Sequence, residues 1–181
     1  DKAAEHFLQA ARLSTTDPRV YYLSAMAMAQ RSMSTGSSPG DQVPTMKTYL
    51  QKAIELDPSF ADAYSVLGFA NMAEGDYESA VNNCRKAVEL SPRKEVYALN
   101  LGRAYLMAGK PFEAKAIFER LKDSSDQSIS FPAQQALARA ERAAFNAGAT
   151  ERHKMPETYD APQWRRSAEE IELAERMHVE G

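Results

Sequence analysis

Two adjacent stretches decide how this chain folds: residues 58–91, PSFADAYSVLGFANMAEGDYESAVNNCRKAVELS, and residues 92–125, PRKEVYALNLGRAYLMAGKPFEAKAIFERLKDSS. Set one on the other, 34 residues apart, and Pro58 falls on Pro92, Leu67 on Leu101 and Gly68 on Gly102. Ala70 likewise falls on Ala104, Gly75 on Gly109 and Ala80 on Ala114. Upstream, Lys52-Ala53-Ile54-Glu55-Leu56 matches Lys86-Ala87-Val88-Glu89-Leu90. Composition bias does not align two glycines, a proline and the small residues together, so the period is an architectural repeat.

Each unit reads as two helices. In Ala61–Glu74, Tyr64, Leu67, Gly68 and Asn71 recur at three- and four-residue steps. Gly75-Asp76 interrupts the run where a tight or left-handed turn is needed. Tyr77–Leu90 resumes the helical period through Ala80, Val81, Cys84, Ala87 and Val88, and Ser91-Pro92 stops it, because proline disfavours helical geometry in the residue before it. Gly68 and Ala80 are small where two helices are expected to cross closely.

These features resemble the tetratricopeptide repeat, a helical hairpin of about 34 residues with Leu-Gly in its first helix and a small residue and an aromatic in its second. Tyr64, Leu67-Gly68, Ala80, Ala87 and Pro92 match one unit; Leu101-Gly102, Tyr105, Ala114 and Phe118 match the next. Asn71 stands where its sister has Tyr105, and Cys84 where its sister has Phe118. The resemblance implies an all-α superhelix of stacked antiparallel hairpins over residues 1–148, with the clearest repeats at 61–94 and 95–128.

The same frame places the rest. Residues 17–60 read as a repeat whose helices, Asp17–Met33 and Thr45–Leu56, are separated by an inserted polar loop near 34–44. Residues 1–16 read as a half repeat through Ala3, Phe7, Ala10 and Leu13, so a chain beginning mid-repeat, within a larger bacterial protein or assembly, is expected. Ser130 and Pro132 are expected to open a helix running to about Asn146 and ended by Gly148. Residues 149–181 read as a polar linker and a C-terminal capping helix through Trp164, Ala168, Ile171, Ala174 and His178, giving roughly nine helices in all.

Composition narrows the function. With 22 Lys and Arg against 25 Asp and Glu, the 181-residue chain carries a net charge of −3, a poor match to a general nucleic-acid binder. No apolar run is long enough to span a membrane, so no direct insertion is expected. One cysteine excludes an intrachain disulfide and a multi-cysteine metal cluster, and His6, His153 and His178 lie on separate segments without an orienting partner. Cys84 sits on the core seam of its helix, and the glycines are explained by crossings and turns rather than by a phosphate loop. No catalytic residue, metal or cofactor is expected.

Carried across residue by residue, the resemblance implies a concave surface lined by the first helices: Tyr21, Ala25 and Met28; Ser65, Phe69 and Met72; Leu99, Asn100, Arg103 and Leu106; Gln135, Arg139 and Arg142. This groove would be apolar and Met-rich at the front and basic at the back. The clamp by which some members hold a carboxylate terminus needs Lys and Asn where this chain has Tyr21, Ala25, Ser65 and Phe69, and only Asn100, with Arg139 as an approximate stand-in, remains. The expected function is therefore a non-catalytic module binding a peptide or protein segment. The alternatives are a structural spacer that self-associates, and an accessory repeat domain appended to an enzyme such as a peptidase or transferase.

Overall fold

The computed structural model describes residues 16–35 and 42–154, together with His6 and Gln9. Seven α-helices and no strand occur among the described residues: α1 (Pro18–Thr35), α2 (Val43–Leu56), α3 (Ala61–Glu74), α4 (Tyr77–Leu90), α5 (Glu95–Met107), α6 (Pro111–Leu121) and α7 (Gln127–Lys154). The chain divides into two compact units, Asp1–Ala144 and Phe145–Gly181, and the repeats lie within the first. The expected half repeat at 1–16, most of the inserted loop and the capping helix near 164–179 fall largely or wholly outside the described residues.

Helices α3 and α4 keep the boundaries expected from sequence, for a visible reason. Gly75 has φ of +81°, its N–H donates to the Met72 carbonyl at 3.2 Å, and the Asp76 N–H donates to the Asn71 carbonyl at 3.0 Å. One repeat later Gly109 has φ of +70°, with Gly109 N–H to Leu106 O at 3.2 Å and Lys110 N–H to Tyr105 O at 2.9 Å. Both turns use the same pair of bonds to close a helix through a left-handed residue, a conformation that glycine adopts without a Cβ penalty. Asp76 then caps α4, its carboxylate accepting from the Ser79 N–H at 3.2 Å, whereas α6 starts on Pro111, whose missing N–H costs nothing in the first turn.

The crossings inside the hairpins are equally constrained. A Cβ at Gly68 would run into Cys84 Sγ and lie 3.2 Å from the Ala80 carbonyl oxygen; a Cβ at Gly102 would lie 2.6 Å from Cε1 of Phe118. Phe118, Cys84, Ala80 and Ala114 are all fully buried. The departures noted in the sequence therefore have a physical cost in one place: Asn71, 2% exposed where the sister repeat has Tyr105, has a buried Oδ1 without a hydrogen-bond partner.

The core is a series of interfaces rather than a single centre. Tyr21, Ala25, Met46, Leu50, Ala53, Ala63 and Leu67 join α1, α2 and α3. Met72, Val81, Cys84, Leu101 and Ala104 join α3, α4 and α5. Ala98, Leu99, Phe118, Leu121, Ile129, Ala133 and Ala140 join α5, α6 and α7. Such stacking is how a hairpin that cannot bury its apolar face alone becomes stable. Polar ties cross the same joints: Tyr97 donates to Asp62 at 2.6 Å, Lys94 to the same carboxylate oxygen at 3.0 Å, and Lys47 pairs with Glu74 at 2.6 Å.

Four helix ends lie two or more residues from where the sequence places them. Helix α1 continues to Thr35, and α2 begins at Val43, with Pro44 in its first turn. Helix α7 begins at Gln127 rather than Ser130, because Asp126 caps it: the Ser128 N–H donates to Asp126 Oδ1 at 2.8 Å and the Ser130 N–H to the Asp126 carbonyl at 2.9 Å. Pro132 thus lies inside the helix. At the other end Gly148 does not stop the helix, which runs on to Lys154. Gly148 stays helical instead of turning left-handed, and an interior glycine costs only about 1 kcal/mol.

Candidate functional site

Three first helices, α3, α5 and α7, bring side chains together around a groove of about 400 Å³. Phe69, Met72 and Ala73 come from α3; Arg103, Leu106 and Met107 from α5; Pro132, Gln135, Ala136 and Arg139 from α7. The α3 and α5 sets are the same three repeat positions 34 residues apart, so the solenoid itself aligns them. Spacings of three and four residues place each set on one helix face.

Its walls are apolar and its polar groups few. Met72 is buried and Leu106 and Ala136 are half-buried, forming a floor, while Phe69 is 57% and Met107 46% exposed. An aromatic ring and a flexible thioether standing in solvent on a packed base can adapt to an incoming apolar side chain. Arg103 is half-buried, with Nη1 3.5 Å from Asn100 Oδ1, and Arg139 is exposed. Among the described residues, the lining holds no Asp, Glu, His, Cys, Ser or Lys. Two guanidiniums beside apolar walls can orient and hold a ligand; they supply neither nucleophile nor general acid–base pair.

Of the residues expected to line a concave surface, Phe69, Met72, Arg103, Leu106, Gln135 and Arg139 meet in this groove. The others are placed elsewhere. Tyr21 and Ala25 are buried in the first interface, Tyr21 lying 6.2 Å from the ring of Tyr49, and Met28 is half-buried against them. Leu99 is buried against α6 and α7. Ser65 is buried and accepts a hydrogen bond from Asn100 Nδ2 at 3.1 Å, so this pair ties α3 to α5. Arg142 is exposed on α7 but does not line the groove.

Met107, Ala73, Pro132 and Ala136 complete the lining without having been singled out. The signal for the first two was in the repeat: Ala73 and Met107 directly follow Met72 and Leu106 in the two units. Elsewhere, burial pushes the Cys84 thiol up to about 12, as suits a core residue. Although burial opposes it, hydrogen bonds from Tyr97 and Lys94 hold the Asp62 carboxyl below the usual carboxylate range. Among the described residues no three His, Cys, Asp or Glu side chains converge as a metal site would require.

Comparison with known proteins agrees with the repeat fold. Residues 71–141 match the family model for the tetratricopeptide repeat. A stretch of 71 residues, 39% of this chain, is 34% identical to anaphase-promoting complex subunit 3 of Schizosaccharomyces pombe, of whose length it spans 11%. Among solved structures, a thermophilic tetratricopeptide protein of Thermus thermophilus superposes with a TM-score of 0.61 at 15% identity, over 79% of this chain and 72% of its own. The MamA protein superposes with a TM-score of 0.55 at 24% identity, over 80% and 66%. These structural likenesses show the fold. Tetratricopeptide repeat domains are generally protein-interaction modules and non-catalytic scaffolds. The 34-residue hairpin, the paired left-handed turns and the glycine crossings are all in register with the tetratricopeptide repeat that the family model matches over residues 71–141.

Proposed function

We propose that this chain binds a peptide or protein segment in the groove between α3, α5 and α7, and that it performs no chemistry of its own. The observation that carries the reading is the pairing of exposed Phe69 and Met107 over the floor of Met72 and Leu106, in a concave site of about 400 Å³. Apolar side chains held in solvent on a packed wall cost free energy unless a partner covers them, and concave apolar sites with a few convergent polar groups are the usual ligand sites. The Schizosaccharomyces pombe relative, by its name a subunit of a larger complex, is consistent with a role in assembly.

The test is a peptide array probed with the purified chain and with Phe69→Ala. Because Phe69 is mostly exposed, its removal should leave folding intact while the bound set loses most of its signal. Equal binding by both proteins would place recognition elsewhere. Concentration-dependent self-association without peptide binding would favour a structural spacer.

A further inference from the structure

Resting on that reading, we infer that the segment taken by the groove is acidic and amphipathic: one bulky apolar side chain seats against Phe69, Met72, Leu106 and Met107, and flanking carboxylates reach Arg103 and Arg139. The first argument is charge. The chain as a whole is acidic, with a net charge of −3, yet among the described residues the groove lining contains two arginines and no carboxylate. Local charge therefore opposes global charge where apolar side chains stand exposed in a concavity.

The second argument is what the arginines do in the free protein. Among the described residues, the ion pairs lie elsewhere: Lys47 with Glu74, Lys94 with Asp62, Lys115 with Glu119 and Glu141, and short-range pairs of Arg19, Lys52 and Lys86. Among the described residues, Arg103 has only the long contact to Asn100, and no carboxylate lies within ion-pair distance of Arg103 or Arg139. A guanidinium is weakly hydrated and presents a planar fork, so beside an apolar wall it suits a carboxylate that arrives with an apolar neighbour. The third argument is size. At about 400 Å³ the groove is at the small end of the ligand-pocket range of roughly 300–1,000 Å³, which admits one or two side chains rather than a whole helix face. Two arginines also make too short a basic track for a nucleic acid.

The experiment uses the full chain and three pools of short fluorescent peptides, read by anisotropy. In each pool a Leu, Phe or Met is fixed and flanked by Glu, by Gln or by Lys. The Glu pool is expected to bind about tenfold tighter than the Gln pool, the factor of one charge-assisted contact, and this advantage should shrink as salt rises. The double variant Arg103→Glu with Arg139→Glu should reverse the order in favour of the Lys pool, while Arg93→Glu, at an exposed position away from the groove, should leave it unchanged. The pair Arg103→Gln and Arg139→Gln, checked for intact helicity, should erase the preference without reversing it. Equal binding of the Glu and Gln pools that still depends on Phe69 would overturn this inference and leave peptide recognition standing. No binding by any pool would overturn both. A dimer lost on Phe69→Ala would identify the occupant as a second copy and would also overturn the inference.

Discussion

Replacing Gly102 by Ala isolates the physical feature on which the hairpin depends. At an unobstructed helical position this substitution stabilises, because Gly costs roughly 0.5–1 kcal/mol relative to Ala inside a helix. At position 102 the new Cβ would lie 2.6 Å from Phe118 Cε1, 2.9 Å from Cζ and 3.2 Å from Ile117 Cγ2. Phe118 is fully buried among Ala98, Ala114, Leu121 and the α7 residues, so its ring has no free volume to enter. Overpacking of this kind costs about 1–3 kcal/mol, which outweighs the propensity gain. The expected net loss is about 1–2 kcal/mol, or a Tm lower by roughly 2–8 °C for a chain of this size. Thermal unfolding followed by far-ultraviolet circular dichroism measures it. Gly148→Ala provides the opposite sign: that residue is helical, and among the described residues nothing lies within 4 Å of where its Cβ would go. A neutral or stabilising Gly102→Ala would refute the claim that close backbone approach holds α5 against α6.

Asn71→Leu should stabilise by about 1 kcal/mol, seen as a higher urea midpoint, because it removes a buried carbonyl oxygen that has no partner. Acidification should weaken the joint between α3 and α5: the Asp62 carboxyl is depressed in the folded chain, so its contribution is complete above the unfolded value of about 3.9 and is lost as pH falls through the folded one. With the Asp62 side chain 40% exposed, that contribution is at most about 1 kcal/mol, and Asp62→Asn should remove this part of the acid-side slope in stability curves. Cys84 should resist a thiol reagent in the native protein at neutral pH and react stoichiometrically in urea, since it is buried with its thiol pushed up to about 12.

What the sequence reveals depends on how locally each feature is determined. Helices α3 and α4 are legible to the residue because Pro58, Gly75-Asp76 and Ser91-Pro92 punctuate them, and each signal acts within a turn of its own position. Helix α7 is less legible because Pro132 resembles a helix start, while the cap at Asp126 needs the Ser128 N–H to be in place, and because Gly148 carries the residue type of a stop without the left-handed φ. The groove divides along the same line. Phe69, Met72, Arg103, Leu106 and Arg139 follow from register along their own helices. Tyr21, Leu99 and Ser65 share that register, but their exposure is decided by neighbouring helices: Tyr49 beside Tyr21, α6 and α7 around Leu99, and Asn100 on Ser65. Spacing says which face a residue occupies, and only packing says whether that face stays open.

Methyl spectra of methionine-labelled protein test the recognition surface most directly. Met72 and Met107 line the groove, whereas Met46 is buried between α1, α2 and α3 on another interface. Addition of a bound peptide should shift the Met72 and Met107 methyl signals in proportion to occupancy and leave Met46 in place. Shifts confined to Met46, or a bound peptide that leaves Met72 and Met107 unmoved, would contradict recognition in the trough between α3, α5 and α7.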